Sequence, residues 1–592
     1  MHRISNIYKV LLFSLILLVS TSFSQQVFEV NLKDRADDNF HVTVYPEKLS
    51  ADNNIFQFAA TAPGTYQTMD IGRFVSDFKA YDNNGNEIVT ENSSTNQWTI
   101  SDPAAVKKIT YEVDDIWDTP VTTHRLYPMC SSTISDDFVM MNGQAVFGYF
   151  SGMQSEPIKI KIDYPSDWTV GTPLKQDDDG YYEAETFDKV VDSPFYLGKL
   201  TKATTEVGGA KIDVYTHSIT GMITSDDILD MLKDILHAES DFTKGLPVDD
   251  YTFLFYFGKF GAGAWEHSYS SEYVMQEGSL TPRFTENVRS VVAHEFFHVN
   301  VPLNIHSELV EKFNFVKPVM SQHLWLYEGT TEWAAHILQL RDKLISLDDY
   351  LKVLHHQLAM NDNFRQDVSL TELGIHSTEM PDQYYNIYQK GAFVSSLLDI
   401  RLLELSHGKK GLRELIIELS KKYGPKHAFS EKNFFNELVA MTYPEIGDFI
   451  NKYIKGTDKL PVKEYYNKLG IDYKEEAGLD STRTSLGINI GFQNGAFTVV
   501  TVKDENKIPL KVGDVITKIE GTPLTLQTAR TIFAKRQEKK VGDKITFTVK
   551  RGEKKMNFTL TLEPAILRHE FTVDQNPTPE QLKLREAWLK NL

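Results

Sequence analysis

Alternating apolar and polar positions fill the first third of the chain. "FEVNL", "NFHVTVY", "IFQFAA", "KKITYEV" and "IKIKIDY" place hydrophobic side chains at every second position or in short β-branched and aromatic runs, the pattern of half-buried strands. "YDNNGNE" and "QDDDGYY" interrupt them with Asn, Asp and Gly, which tolerate positive φ in hairpin turns. The second lacks the alternating oxygen ligands and distal Glu of an EF-hand loop, so it reads as a plain turn. Residues 25–200 are expected to form an N-terminal β-sandwich.

Near Lys211 the pattern turns mixed. "KIDVYTH" predicts a strand, "SDDILDMLKDILHAES" an amphipathic helix capped by Ser225, and "YTFLFYFG" a buried strand. Helical spacing then recurs over roughly 285–299, 322–343, 347–360, 388–406 and 410–423. "EKNFFNELVAMTY" and "IGDFINKYI" close a helical lobe near Ile454. Residues 201–465 thus predict an α+β domain with a helical lobe. A compact β-rich module follows over 475–565. The tail, 566–592, predicts one short helix with no chemical signal. No internal repeat or low-complexity tract appears.

Composition adds limits. A chain of 592 residues exceeds one core, and 41% hydrophobic content can fill several. The net charge of −19 argues against nucleic acid as a partner. The segment "MHRISNIYKVLLFSLILLVSTSFSQQ" has Arg3 and Lys9, an apolar run over 10–19, and small residues at Ser22 and Ser24. That is the layout of a secretory signal over 1–24, too short to span a bilayer. The protein is expected to be exported, to a periplasm or outside the cell, with no stable membrane insertion after cleavage. Cys130 is the only cysteine, so no intramolecular disulfide is expected.

The candidate chemistry lies in "SVVAHEFFHVNVPLNIH". His294 and His298 are one helical turn apart and project from one face, a pair that fits a single zinc ion. Glu295 lies beside them, placed to take a proton from a water at the metal. Downstream, "WLYEGTTEW" offers Glu328 as the third ligand. Glu332, one turn later, is placed to fix a histidine ligand's tautomer. One Zn²⁺ per chain is the expected cofactor.

"HEFFH", "LWLYEGTTEW", "GAWEHS" and "YQKGAFVSSLLDIRL" resemble the glycyl aminopeptidase family of gluzincin zinc metallopeptidases. "APGTYQTMDIGRFVSDFKAYDNNG" extends the resemblance into the β-domain. The resemblance implies a multidomain fold: an N-terminal β-domain, a thermolysin-like α+β catalytic domain and a C-terminal PDZ domain. It implies that His294, His298 and Glu328 hold zinc and that Glu295 is the general base. It also implies that the strand carrying Gly263 and Ala264 pairs with substrate, that Glu266 meets a free amino terminus, and that Tyr388 donates to the oxyanion. Many members continue after the second histidine with Trp-Asn and a basic Arg-Pro segment. Here the chain reads "VNVPLNIHS", without that tryptophan and arginine, so the resemblance leaves the preference for a glycine or an acidic side chain open. His306 and His323 are expected in structural roles.

"SLGIN" with "KVGDVITKIEGTPL" resembles a PDZ domain, whose loop amides around Leu486 and Gly487 would hold a peptide's C-terminal carboxylate. A purely structural brace is the alternative. The expected function is a zinc aminopeptidase acting on peptides. A zinc endopeptidase on the same scaffold and a non-catalytic, chaperone-like peptide binder using the PDZ domain are the alternatives.

Overall fold

The structure, a computed structural model, describes residues 25–493 and 495–590; the expected signal segment lies outside them. The N-terminal domain is β-rich. Its main sheet has seven strands, with Gln26–Asn31, Asn39–Tyr45 and Lys108–Asp114 adjacent near its middle, and two four-stranded sheets accompany it. "NFHVTVY" buries Phe40, Val42 and Val44 on one face, as its alternation requires. The edges of Phe56, Phe58, Trp98 and Tyr111 interlock in the core. Both polar hairpins form. Asp82 accepts the Asn84 and Asn86 amides, and Asp177 those of Asp179 and Tyr181.

The catalytic domain begins with a five-stranded sheet in the order Thr201–Val207, Ala210–Ser218, Asp250–Gly258, Ser270–Gln276, Gly263–His267. Asp250–Gly258 lies between two parallel neighbours, which explains its unbroken apolar run. Gly263–His267 runs antiparallel at the sheet's end. The helix Ser225–Thr243 is capped by Thr224, not Ser225: Thr224 and Asp227 form a reciprocal capping box, and Ser225 is buried against Thr201.

The continuous helix expected over 322–343 is two elements. A π-helical turn, Trp325–Thr330, precedes the α-helix Thr331–Arg341. The turn packs so closely on the helix Asn386–Leu405 that a Cβ on Gly329 would lie 2.6 Å from the Gly391 backbone. A glycine-on-glycine contact of this kind leaves no helical periodicity to read.

The tail at 566–592 holds the expected short helix, preceded by a strand that the sequence pattern did not announce. Ile471–Ser485 and Glu563–Val573 pair as an antiparallel ribbon running from the helical lobe to the PDZ module. The chain then returns, and the helix Pro579–Lys590 buries Trp588 fully while its carbonyl accepts from Arg341 Nε at 3.0 Å. The PDZ core gathers Val499, Leu510, Phe547 and Val549 under the helix Leu526–Gln537. Among the described residues, no helix is long and apolar enough to cross a membrane.

Candidate metal centre and peptide cleft

The helix Pro282–Phe297 starts at Thr281, whose side chain accepts from the Phe284 amide, and ends so that His298 is its C-cap. It brings His294 and His298 against the π-turn carrying Glu328. The ligand atoms of these three residues all lie within 4.8 Å of one another. Glu328 Oε2 is 3.4 Å from His294 Nε2 and 3.6 Å from His298 Nε2. Each histidine has its other nitrogen committed. His294 Nδ1 lies 2.8 Å from Glu332 Oε2, and His298 Nδ1 donates to the Val301 carbonyl at 2.7 Å. Both Nε2 atoms therefore face the centre as acceptors, and the donor set, two imidazoles and one carboxylate, fits zinc.

Glu332 in turn reaches His336 at 3.2 Å. Burial opposes its charge, yet His294 and His336 hold its carboxyl far below the usual range. Burial likewise opposes Glu328, which His298, His294 and the Tyr66 hydroxyl keep below its ordinary value. Burial, with Glu328 and Glu332 nearby, pushes Glu295 up to about 7. Burial, with Glu328 and Glu295, pushes Glu266 up to about 8. Four carboxylates around two imidazoles form a charge arrangement that a divalent cation satisfies.

Glu266 and Glu295 converge on His298, with ligand atoms within 4.8 Å of one another. Glu266 comes from the end strand Gly263–His267, whose outer edge has no strand partner among the described residues. Gly263 and Ala264 lie on that strand opposite Val274 and Tyr273. The N-terminal domain closes over it. Trp265 Nε1 donates to the Pro63 carbonyl at 3.1 Å. Gly64, at φ +73°, presses so near that a Cβ there would sit 2.5 Å from Glu266 Oε1. Tyr66 donates its hydroxyl to Glu328 Oε1 at 2.7 Å. Gly64 and Tyr66 escaped the sequence reading as site residues: "APGTYQ" pointed to the family, but nothing local joins Tyr66 to a partner 262 residues away.

Tyr388 lies on Asn386–Leu405, its ring centroid 5.6 Å from that of His294. Its hydroxyl pairs with that of Tyr384 at 2.8 Å. Burial and then Glu328 push its phenol well up, so it stays a donor. His306 and His323 are held by the carbonyls of Pro302 and Glu431. In the PDZ module Leu486 is buried, and the Gly487 amide donates to Ser485 Oγ at 3.1 Å.

A histidine pair and a glutamate on adjoining elements, beside a further buried glutamate and an open strand edge, define a metallopeptidase. Family models agree: residues 27–199 match the Peptidase M61 N-terminal domain, 287–394 the M61 glycyl aminopeptidase domain, and 469–562 a PDZ domain. The chain belongs to the M61 peptidase family. Among solved structures, it is similar to an aminopeptidase N family protein from Idiomarina loihiensis, at 20% identity and TM-score 0.77, covering 95% of this chain and all of that one. An M1 zinc metallopeptidase from Deinococcus radiodurans is similar at 12% identity and TM-score 0.46, covering 74% of this chain and 94% of that one. No curated protein sequence matches.

Proposed function

We propose that the protein is a zinc aminopeptidase, with one zinc per chain, that removes residues from the free amino end of peptides. The observation that carries this reading is the closure of the cleft at Glu266. The loop over 62–66 packs on that carboxylate and on Glu328, so a peptide along Gly263–His267 has little room beyond its first residue. A bound zinc would supply Lewis acidity toward the peptide carbonyl. His294, His298 and Glu328 would hold it, with Glu332 and the Val301 carbonyl orienting the two rings.

The rest is work for the chain's own groups. Backbone at Gly263 and Ala264 pairs with the substrate's main chain, and Glu266 meets its ammonium through a charge-assisted bond. Glu295, beside His294 on the same helix, takes the proton of the attacking water and returns it to the departing amine. Tyr388, held as a donor, steadies the oxygen that gains charge. The export signature in residues 1–24 supports action in a periplasm or outside the cell. The PDZ strand Ile488–Gln493 ends its sheet, leaving an edge for peptide addition. With the Gly487 amide already engaged, strand pairing rather than carboxylate capture at Leu486 and Gly487 is the expected docking mode.

Mass spectrometry of an unblocked ten-residue peptide tests the reading. Stepwise loss from the amino end is expected, and internal fragments would identify an endopeptidase instead. Glu295→Gln should retain zinc and lose hydrolysis; turnover surviving that change would remove Glu295 as the base.

A further inference from the structure

The open edge of the PDZ sheet ends against the catalytic domain. Gln493, the last residue of the strand Ile488–Gln493, donates its side-chain amide to Asp382 Oδ2 at 3.3 Å. The same oxygen accepts from Gln383 Nε2 at 2.9 Å, and Gln383 in turn accepts the Arg365 amide at 2.8 Å. Two residues beyond Asp382, Tyr384 sets its ring 5.7 Å from that of Tyr66 and pairs its hydroxyl with that of Tyr388. Tyr385, half-exposed, stacks on Tyr388 and lines an open groove together with Glu332, which holds His294. One short segment, 382–388, thus joins the tip of the PDZ edge to the residues around the metal site.

The edge also has a direction. Gln493 and Ala496 are the closing pair of a hairpin and bond to each other, so the next residue, Phe492, turns its N–H and C=O outward. The ladders of this sheet are antiparallel, the pairing that is slightly stronger per residue. A peptide adding antiparallel to Ile488–Gln493 leaves the sheet at Gln493 with its amino end leading. That end then points to Asp382, and the amino end is the part assigned to Glu266.

We propose that one peptide occupies both places, with its distal segment added as a strand on Ile488–Gln493 and its amino terminus at Glu266. The enzyme then favours extended peptides of about twelve residues or more over shorter ones. With side chains extended, the main chain at Gln493 lies at most about 25 Å from the Tyr384 hydroxyl, a span of about eight residues. About four more residues pair with the strand. The proposal rests on the aminopeptidase reading.

The test uses full-length zinc enzyme and free-amine peptides of four, eight, twelve and sixteen residues that share their first four. Between four and twelve residues kcat/KM should rise at least about tenfold through KM, then level off. N-methylating only the last four residues of the twelve-residue peptide removes the N–H groups an added strand needs, and should cancel the gain. Phe492→Pro deletes an outward N–H of the edge and should bring the twelve-to-four ratio of kcat/KM close to one. A flat length series, or a gain that survives N-methylation or Phe492→Pro, would overturn the proposal. Should the variant fail to fold, the methylated peptide alone decides. Failure of the aminopeptidase reading looks different: the twelve-residue peptide is cut at internal bonds instead of stepwise from its amino end.

Discussion

Tyr66, in the β-rich N-terminal domain, donates its hydroxyl to Glu328 of the catalytic domain at 2.7 Å. One domain thus completes the hydrogen bonding of a proposed metal ligand in the other. Partners of this kind fix a ligand's orientation and are worth about 10- to 100-fold in metal affinity. Tyr66→Phe should weaken zinc retention by that factor, measured by competition with a chromogenic chelator. Unchanged retention would show that the contact only joins the domains.

Gly64 tests the closure of the cleft. Its φ of +73° and its 2.5 Å virtual contact with Glu266 leave no place for a methyl group. Gly64→Ala should displace Glu266 and lower kcat/KM on free-amine substrates at least about tenfold through KM, since uniform binding is lost. Zinc content should be retained.

Gly329 and Gly391 set how closely the helix bearing Tyr388 approaches the turn bearing Glu328. Gly329→Ala forces the backbones apart, and overpacking of this kind costs about 1–3 kcal/mol. A lowered denaturant midpoint together with weaker zinc binding is expected.

Asp514 gives the PDZ module an acid-sensitive anchor. Burial opposes its charge, but Arg551, bonded at 2.6 and 2.7 Å, and the Lys511 amide hold its carboxyl below the ordinary value. A depressed carboxyl stabilises the fold fully above its unfolded value of about 4, and the contribution is lost as pH falls through the folded value. Amide exchange in Val515–Ile519 and Lys544–Arg551 should therefore accelerate below about pH 4 beyond the intrinsic rate change. Asp514→Asn should weaken protection already at pH 7 and flatten that dependence.

The legible parts of this molecule are those whose cause is local. His294 and His298 announce themselves by one-turn spacing, and the strands of residues 25–200 by alternation. The helix carrying Glu328 was legible, but its π-turn was not, and no spacing rule shows Gly329 meeting Gly391 across 62 positions. The sequence pointed to Ser225 although Thr224 is the cap, because both are good caps. Only the third position after Thr224, Asp227, with its carboxylate on the Thr224 amide at 2.8 Å, decides between them. The last helix was read as carrying no chemical signal; the burial of its Trp588 depends on Arg341 and Tyr350 far upstream. Gly64 and Tyr66 belong to the same class, long-range contacts without a spacing rule.

The measurement that bears most directly on the account compares one peptide with a free amino terminus and the same peptide acetylated. In the proposed reading Glu266, closed in by Gly64, meets the substrate's ammonium. The account predicts cleavage of the free peptide and a loss of at least about a hundredfold in kcat/KM on acetylation, the order expected when a buried charged group loses its partner. Equal cleavage of the two peptides would contradict it.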